Sequence, residues 1–371
     1  MKVLHLGKYY PPFSGGVETV TFNLVEGINQ HGIICDVLCA NDRAHTIVEK
    51  SNGYTIYRAG ILGHWFSTPF SYKLIKVLFK IKDQYDIIHV HLPNPMAVFA
   101  VFLLRPKSKL ILHWHSDIIK QKYLLKLYLP LQKWILRRAY LIVGTTAKYV
   151  ECSYQLKDVL DKTIIVPLGV DYNMLSINKT LSEEIKHKYS GKNIVFTLGR
   201  HVYYKGFEYL IHAAKYLTDD YVILIGGKGK DTDKFRLMIK ALNLNNRVVL
   251  LGHLSDEEVG AYFNACDVSC LPSIAKSEAF GVVLIEAMAL GKPIVATDLD
   301  GSGVSWVNQN GVTGWNVPIM DSVALSDALK NLFSDKDQYQ KMSENCKSRY
   351  NQVFTVKCMV DAFLKIYGAK L

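Results

Sequence analysis

The sequence has no long hydrophobic run. A membrane-spanning helix needs about 18 consecutive uncharged apolar residues, and no such stretch occurs in this sequence. Its first residues, MKVLHLGKYYPPFSGG, break at Pro-Pro and Gly-Gly before the apolar region of a secretory signal could form. We therefore expect a cytoplasmic protein without a signal peptide or a helix that crosses the bilayer.

Several cofactor and metal patterns are also missing. The seven cysteines form no C-x-x-C pair and have no histidine at zinc-finger spacing, so we expect buried reduced thiols. The first glycine loop is not G-x-G-x-x-G, which disfavours a nicotinamide or flavin cofactor. No nucleic-acid-binding motif accompanies the net charge of +11, so nucleic acid is not an expected partner.

What the sequence does contain is a regular alternation of short β-rich runs and helical patterns. One series, from KVLHLG to TIIVP, precedes the segment VPLGVD, and a second series, from NIVFTLGR to PIVAT, follows it. Buried parallel strands joined by crossover helices have this pattern. We predict an α/β protein with two Rossmann-like doubly wound domains facing a cleft, residues 1–168 and 169–353, with a C-terminal helix in 354–371 that packs back on the first domain.

The positive charge is concentrated in the first half of the chain. Residues 1–165 carry 21 Lys and Arg against 11 Asp and Glu, whereas residues 166–371 carry 23 against 22. Within the first half, the segments 70–82 and 120–138 interleave lysines with large apolar residues at helical spacing, which is typical of helices that lie on an anionic membrane. Two ordinary surface helices, each packing one face on a sheet, are the alternative interpretation.

Two loops that follow predicted strands carry binding signals. Gly15 and Gly16 precede a helix, where backbone amides can approach a ligand, although a turn that merely caps the helix could have the same sequence. In the second domain, Arg200 and Lys205 precede Gly206, which opens the next helix. Two cations of different shape over a helix N-terminus suit a diphosphate, and a solvated basic loop is the alternative.

The stretch SEAFGVVLIEAMALGKPIVAT, residues 277–297, places one glutamate in a loop and another inside the following helix. Glu278 lies just before the helix N-terminus, whose free amides can hold anionic oxygens. Glu286 lies more than one turn into an apolar helix, where an unpaired carboxylate is costly, so it needs a partner such as the two hydroxyls of a ribose. A helix-terminal glutamate and a structurally paired glutamate are the alternative.

These glutamates belong to the pattern E-A-F-G-x-x-x-x-E-A-M-A, which resembles the E-x7-E signature of the retaining glycosyltransferases of family 4, proteins with the two-domain GT-B fold. Other segments resemble the same family, in the same order, over nearly the whole chain. They are FSGGVE (13–18), WHSD (114–117), PLGVD (167–171), LGRHVYYKG (198–206), LLGHLSDEE (250–258) and GVTGWNVP (311–318). The resemblance is to members that assemble bacterial polysaccharides such as O-antigen.

The resemblance implies a donor-side role for each matching residue. The backbone at Gly15 and Gly16 would approach the donor diphosphate and sugar, and the side chains of Arg200 and Lys205 would neutralise the diphosphate. The other implied contacts are Glu278 with hydroxyls of the transferred sugar, Glu286 with ribose, the amides of Phe280, Gly281, Val282 and Val283 with phosphate, and the backbone of Leu254 with the nucleobase.

In the first domain, the resemblance implies that His115 lies near the reacting centre, with Asp117 beside it and Glu18 as an acceptor-side contact. The implied reaction transfers a sugar from a nucleoside-diphosphate donor to an acceptor hydroxyl with retained configuration. Because two cations and a helix dipole would stabilise the leaving group, no metal and no other cofactor is expected. The leaving phosphate oxygen would take the proton of the acceptor, so Glu278 need not be a nucleophile.

Two details near residue 300 bear on the donor site. Asp298 and Asp300 spell D-x-D, which helps to hold a metal in the other major glycosyltransferase fold, but here they follow a strand at a turn and are not expected to bind one. Where many family members have G-G-x-P-E, this chain has DGSGVSWVNQNG, which is longer and lacks the glutamate. We therefore assign no donor contact in this stretch from relatives.

Together these signals predict an enzyme that adds a hexose to a lipid-linked oligosaccharide at the inner face of the cytoplasmic membrane, in O-antigen or capsule biosynthesis. Its basic first domain would lie on anionic lipids. GDP-mannose is the favoured donor, with UDP-hexoses and UDP-N-acetylhexosamines as alternatives. Two other functions stay open, namely a soluble transferase that makes a small glycoside from a UDP-sugar and a non-catalytic protein that binds nucleotide sugars.

Overall fold

The structure, a computed structural model, describes residues 1–13, 15–65, 68–119, 122–171 and 177–368. It divides into two compact units, one formed by Met1–Val170 with Val356–Leu371 and the other by Asp171–Thr355. Ser14 of the FSGGVE segment, and Lys120 and Gln121 of the second basic segment, lie outside the described residues.

The described residues of the first unit form ten strands and five α-helices before the chain enters the second unit. The strands are β1 (Lys2–Leu6), β2 (Ile34–Ala40), β3 (Ile47–Ser51), β4 (Tyr54–Ala59), β5 (Gly63–Trp65), β6 (Thr68–Phe70), β7 (Ile87–Leu92), β8 (Lys109–Trp114), β9 (Leu141–Gly144) and β10 (Thr163–Ile165). The helices are α1 (Gly16–Gln30), α2 (Tyr72–Ile81), α3 (Pro95–Leu104), α4 (Lys122–Arg138) and α5 (Ala147–Glu151).

Eight of these strands form one sheet in the order β10-β9-β8-β7-β1-β2-β4-β3, and β5 and β6 form a separate hairpin. All neighbours in the large sheet are parallel except β3 and β4. Strand β7 is buried along its whole length, as expected for a strand covered by helices on both faces. The strand order reverses between β1 and β7, which makes their carboxyl ends the switch point of this sheet.

The second unit has the same kind of architecture, and in the part of it that the structure describes there are six strands and eight α-helices. The strands are β11 (Asn193–Leu198), β12 (Tyr221–Gly226), β13 (Val248–Gly252), β14 (Val268–Leu271), β15 (Ile294–Thr297) and β16 (Gly314–Val317). The helices are α6 (Lys179–Lys188), α7 (Phe207–Ala213), α8 (Thr232–Ala241), α9 (Asp256–Ala265), α10 (Val282–Ala289), α11 (Val304–Val307), α12 (Ser322–Ser334) and α13 (Lys336–Arg349). The sheet is parallel throughout, in the order β13-β12-β11-β14-β15-β16, and its switch point lies between β11 and β14.

The last helix, α14 (Val356–Tyr367), belongs to the first unit although it follows the second in sequence. It packs against α1 and lays Phe363 over the rings of His89 and His113. The α/β class and the two Rossmann-like domains are thus present. The expected cleft concerns the placement of the two units and stays a prediction.

Two expectations from the sequence need correction or completion. Strands β3 to β6 and β16 were not predicted. Strands β5 and β6 have three residues each, and partly exposed positions interrupt β3, β4 and β16, so none carries the continuous apolar signal of a buried parallel strand. All seven cysteines are free, but Cys152 is exposed and Cys358 is half-buried, so the expectation of buried thiols is wrong for these two. None of the helices in the described ranges is both long and apolar enough to cross a membrane.

Candidate active site

The loops after β11 and β14 lie side by side at the switch point of the second sheet, because these two strands are paired neighbours. Ligands of doubly wound sheets bind at such points, beyond the carboxyl ends of the strands. Arg200 and Lys205 follow β11, and Glu278 follows β14. The fold therefore brings three of the predicted site residues to the same edge of the sheet.

Gly206 allows the two loops to touch. Its φ of +65° lies in the left-handed region, and a Cβ on it would lie 2.0 Å from the carbonyl oxygen of Pro272. The backbone N–H of Ile274 also donates to the carbonyl of Tyr204 at 2.8 Å. Any side chain at position 206 would push the Lys205 loop away from the loop after β14, so the contact requires glycine.

Lys205 and Glu278 form an ion pair that is largely shielded from water. Nζ of Lys205 lies 2.7 Å from Oε2 of Glu278, and only 12% of each side chain is exposed. The hydroxyl of Ser273, a fully buried residue, donates to the same carboxylate oxygen at 3.0 Å. Shielded charges persist in proteins when they are paired and hydrogen-bonded, so this arrangement fixes both charged groups in position. Ser273 was not predicted, although it follows β14 directly, where polar residues commonly face a site.

The loop that carries Glu278 is hydrogen-bonded to the stretch DGSGVSWVNQNG, which departs from the family pattern. Ser302 donates its hydroxyl hydrogen to the carbonyl of Glu278, and the N–H of Gly303 donates to the carbonyl of Ala279 at 2.8 Å. The residues DGSG therefore brace the site through backbone contacts, a role that needs no glutamate.

Helix α10 starts directly after this loop. Its first hydrogen bond runs from the N–H of Leu284 to the carbonyl of Gly281 at 2.9 Å, so the amides of Val282 and Val283 precede the intrahelical ladder. The ring of Phe280 is buried against Trp306 and Phe354, which leaves its backbone as the part that a ligand could reach. The positive end of the helix dipole at this point favours an anion.

Glu286 lies one turn further along α10. The pKa of Glu286 is raised to about 7, chiefly by burial of its carboxyl group and in smaller part by the charge of Asp256 on α9, while the charge of Lys205 opposes the rise. Because the ionised form is disfavoured, hydroxyl donors from a ligand would stabilise the carboxylate. Asp256 was not predicted to act on the site, although it lies within the segment LLGHLSDEE.

Arg200 and Leu254 flank these groups. The guanidinium of Arg200 is exposed, and in the described part of the chain no carboxylate pairs with it. The side chain of Leu254 is buried over Gly226, where a Cβ would lie 2.8 Å from its Cδ1, so only its backbone could contact a nucleobase. Both assigned roles remain predictions that these positions permit.

The first unit carries the other predicted residues. Gly15 caps α1 and Gly16 begins it, and a Cβ on Gly15 would lie 2.4 Å from Oε2 of Glu18. The carboxylate of Glu18 thus folds over the helix N-terminus, where a negative charge is favoured.

His115 and Asp117 follow β8 and are both engaged within the first unit. Nε2 of His115 lies 2.9 Å from Nδ1 of His91, and burial lowers the pKa of His115 to about 3, so its ring is neutral at physiological pH. Oδ1 of Asp117 accepts hydrogen bonds from Nε1 of Trp114 at 3.0 Å and from the hydroxyl of Ser153 at 2.6 Å. These contacts brace the loop after β8, and the acceptor-side role of Asp117 stays a prediction.

The D-x-D residues Asp298 and Asp300 follow β15 and are exposed. The N–H of Asp298 donates to the carbonyl of Val317 at 2.7 Å, which aligns this turn with β16. That Asp298 and Asp300 bind no metal stays a prediction.

Comparison with known proteins adds independent information. Residues 14–173 match the family model Glycosyltransferase Family 4, and residues 178–349 match the model Glycosyl transferases group 1. An O-antigen chain mannosyltransferase C of Escherichia coli is 34% identical, over 100% of this chain and 99% of that protein. A D-rhamnosyltransferase of Pseudomonas aeruginosa is 32% identical, over 96% of this chain and 92% of that protein. Among solved structures, Anabaena HepE in complex with UDP has a TM-score of 0.80 and 20% identity, over 99% of this chain and 100% of that one.

The chain belongs to glycosyltransferase family 4 and is a glycosyltransferase of the GT-B fold. The family predicted from the E-x7-E pattern is thereby confirmed, and so are the α/β class and the two Rossmann-like domains. The roles of individual residues are the subject of the proposal that follows.

Proposed function

We propose that this glycosyltransferase transfers mannose from GDP-mannose to a hydroxyl of a lipid-linked oligosaccharide in O-antigen or capsule biosynthesis. Two relatives that align with almost the whole chain support this proposal, since one is named an O-antigen chain mannosyltransferase and the other a D-rhamnosyltransferase. The observation that carries the catalytic part is the shielded pair of Lys205 and Glu278 at the second switch point.

In the proposed donor complex, Lys205 and Arg200 neutralise the diphosphate, and the first amides of α10, from Phe280 to Val283, bind its oxygens. A preorganised cation of this kind costs little reorganisation when charge develops on the leaving group. Lys205 can serve a phosphate and Glu278 together, because an ammonium group has three donors and the ion pair uses one direction. Glu278 then accepts from hydroxyls of the sugar.

The remaining contacts place the two ends of the donor. Glu286 binds the ribose hydroxyls, whose hydrogen bonds favour its ionised form, and the backbone of Leu254 contacts the base. The backbone at Gly15 and Gly16 approaches the diphosphate and sugar, His115 lies near the reacting carbon, and the acceptor-side contacts are those predicted for Glu18 and Asp117.

The proposed reaction retains the configuration at the anomeric carbon. The bond between this carbon and the leaving phosphate oxygen breaks, a bond to the acceptor oxygen forms on the same face, and the acceptor proton moves to the leaving phosphate. The salt bridge to Lys205 and the hydrogen bond from Ser273 make Glu278 a poor nucleophile, which is consistent with this route. Charge on the leaving group is balanced by protein cations, so we propose that no metal is required.

Donor binding tests the proposal most directly. The purified protein is heated with GDP, UDP, GDP-mannose, UDP-glucose, UDP-galactose or UDP-N-acetylglucosamine, first without metal and then with manganese. A ligand present at a hundred times its dissociation constant stabilises the native state by about 2.7 kcal/mol. We expect GDP and GDP-mannose to raise the melting temperature of the protein without metal. In a transfer assay, we expect mannose to be attached to a lipid-linked acceptor.

Stabilisation by UDP-sugars alone would replace the proposed donor and favour the small-glycoside alternative if transfer needed no lipid acceptor. Binding without transfer to any acceptor would favour the non-catalytic alternative. A requirement for manganese would contradict the metal-independent route.

A surface on the first unit supports the proposed place of action on an anionic membrane. Helix α2 packs on α3 and α3 packs on α4, and these helices expose large apolar residues beside lysines. The exposed apolar residues are Phe79, Phe99, Leu103 and Leu127, and the exposed lysines beside them are Lys76, Lys80, Lys126 and Lys133. Leu127 on α4 is 80% exposed, which a purely structural helix would not require. Apolar and basic residues together favour binding to an anionic membrane interface.

The double substitution Lys126→Glu and Lys133→Glu tests this surface by co-sedimentation with anionic vesicles. Each lysine near an anionic surface contributes about 1 kcal/mol, so we expect at least a thirtyfold loss of binding at low salt and a smaller loss at high salt. The matched control, Lys215→Glu with Lys240→Glu, makes the same charge change at exposed positions of the second unit. An equal loss of vesicle binding in the test variant and in the control variant would mean that only the net charge of the protein matters.

A further inference from the structure

Five buried histidines lie on one face of the first sheet, around its switch point. The register of the parallel strands pairs His5 with His89 and His91 with His113, and His115 follows β8 directly. None of these residues is more than 5% exposed. Alternation along the strands puts them on one face, which α14 covers with Phe363 and Tyr367.

Four of the five histidines are joined in one continuous hydrogen-bond chain. Nε2 of His115 lies 2.9 Å from Nδ1 of His91, whose Nε2 lies 2.9 Å from Nδ1 of His5. Nε2 of His5 lies 3.2 Å from the hydroxyl oxygen of Tyr367, which lies 2.5 Å from Nδ1 of His89. Every link uses a different ring nitrogen, so the protonation of one ring constrains the next.

The rings in this chain are neutral. Burial lowers the pKa of His5 and of His115 to about 3, and burial together with the other histidines lowers the pKa of His89 and of His91 well below the usual value. A neutral imidazole has one N–H and one lone pair. Because each inner ring must donate on one side and accept on the other, all bonds in the chain point the same way.

Thr21 of α1 selects the direction. Its hydroxyl donates to the carbonyl of Val17 at 2.8 Å, so its oxygen can only accept from Nδ1 of His91, which lies 3.3 Å away. This assigns the hydrogen of His91 to Nδ1, where the two acceptors share it: Nε2 of His115 at 2.9 Å and, more weakly, the Thr21 oxygen at 3.3 Å. The other links follow consistently, since His5 then donates from Nδ1, Tyr367 donates to Nε2 of His5, and His89 donates to Tyr367.

We propose that Thr21 and His91 are positioning residues that hold His115 in the tautomer with its hydrogen on Nδ1. Nδ1 of His115 is a buried atom, and no residue in the described ranges accepts a hydrogen bond from it. An oxygen of a bound substrate is its proposed acceptor. The catalytic meaning of this tautomer rests on the proposed function, in which His115 lies near the reacting carbon. In this state His115 orients a substrate oxygen and does not remove a proton.

A metal site is the main competing explanation for such a cluster. Two overlapping sets, His5 with His89 and His91, and His91 with His113 and His115, each offer ligand atoms within 4.8 Å of one another. Tetrahedral zinc with bonds of about 2.0–2.1 Å holds its nitrogen ligands about 3.3 Å apart, around a common centre. The facing nitrogens at 2.9 Å are closer than that and match a shared hydrogen, so the geometry favours the hydrogen-bond chain.

The test is the ring nitrogen spectrum of His115 by NMR in histidine-labelled full-length protein, assigned with a His115→Asn variant. We expect Nδ1 of His115 to carry the hydrogen. Thr21→Val removes the selecting hydroxyl without changing the side-chain shape, and should shift the tautomer ratio by about three- to tenfold, the effect of one weak hydrogen bond. The same variant should lower kcat in proportion to the lost population of the Nδ1–H tautomer and leave KM for the donor unchanged.

Two variants show whether the effect is specific. Thr21→Ser keeps the hydroxyl and should restore the wild-type tautomer and kcat. Tyr367→Phe removes another buried hydroxyl of the same chain but leaves Thr21 and His91 intact, so it should leave the His115 tautomer unchanged even if it lowers the melting temperature.

Three results would overturn the inference: a hydrogen on Nε2 of His115 in the wild-type protein, an unchanged tautomer in Thr21→Val, or one equivalent of zinc that co-purifies and is lost in His91→Asn. The spectrum does not depend on turnover, so it separates this inference from the proposed function. The expected tautomer in a protein that transfers no sugar would contradict the function alone, and active transfer with the other tautomer would contradict the inference alone.

Discussion

The sheets of both units reverse their strand order at a switch point, and the units differ in the side chains that lie there. In the first unit the groups there are five buried neutral imidazoles, four of which are joined by hydrogen bonds, directly or through Tyr367. In the second unit they are charged, with Lys205 paired to Glu278 and Arg200 exposed beside them. The comparison teaches that this fold sets the place of a site, whereas the few side chains after the strands set its chemistry.

The physical reasons for the two arrangements are different. Neutral rings can be buried at little cost when each N–H group faces a lone pair. The arrangement of partners therefore fixes the direction in which the hydrogen bonds between the rings point. Charged groups can be shielded from water only as pairs. The second unit therefore fixes the positions of the paired side chains and the balance of their charges. Four predictions test this contrast.

The largest expected effect is that of Lys205→Ala. The variant removes the proposed cation at the leaving group and leaves Glu278 unpaired in a shielded site, so we expect kcat to fall about a thousandfold. Breaking one side of a buried pair should also lower the free energy of unfolding by about 3 kcal/mol. Steady-state kinetics and denaturant unfolding measure both, with Lys215→Ala, an exposed lysine of the same unit, as control. Activity within tenfold of wild type would remove Lys205 from the catalytic site.

Acid unfolding tests the neutral histidines of the first unit. Their pKa values are lowered in the folded protein, so the stability they allow is complete above about pH 6.5 and is lost as the pH falls towards 3. Each such ring steepens the fall by about 1.4 kcal/mol per pH unit. His113→Asn should therefore make the free energy of unfolding less dependent on pH between 6 and 4. The same substitution at the exposed His187 is the matched control, and an unchanged slope in His113→Asn would mean that this ring is not held neutral.

Arg200→Ala probes the exposed cation of the second switch point. Because this guanidinium is not part of the shielded pair, its loss should leave stability unchanged while kcat falls about a hundredfold through weaker leaving-group stabilisation. Arg236→Ala, on the surface of α8, controls for loss of an exposed arginine. An increase in KM with kcat unchanged would instead assign Arg200 to ground-state binding.

Glu286→Ala should have the smallest effect of the four. It removes the proposed ribose contact but leaves the diphosphate site, so we expect donor affinity to fall about tenfold with kcat nearly unchanged. Calorimetric titration with the donor and with the free diphosphate nucleotide measures the change, and both ligands should lose the same factor. A loss of affinity for the sugar-containing ligand alone would mean that Glu286 contacts the transferred sugar and not the ribose.

Much of the fold was predictable because buried parallel strands and crossover helices have a strong local signal. The runs NIVFTLGR and YVILIGG predict β11 and β12. The binding role of Arg200 and Lys205 in the loop after β11 stays a prediction. Strands β5 and β6, of three residues each, have no such signal. Ser273 was missed for a related reason, since a single serine after a strand is common and only its contact with Glu278 distinguishes it.

The sequence by itself determined the two series of strands, the glutamates at 278 and 286, and the glycine at 206 that the loop contact requires, because these depend on local periodicity and backbone preference. Only the tertiary structure decided which groups meet. Lys205 reaches Glu278 because β11 and β14 are neighbours in the sheet, and Tyr367 reaches His5 because the last helix returns to the first unit. Contacts between residues so far apart in the chain are set by strand order and packing, for which the local sequence carries no signal.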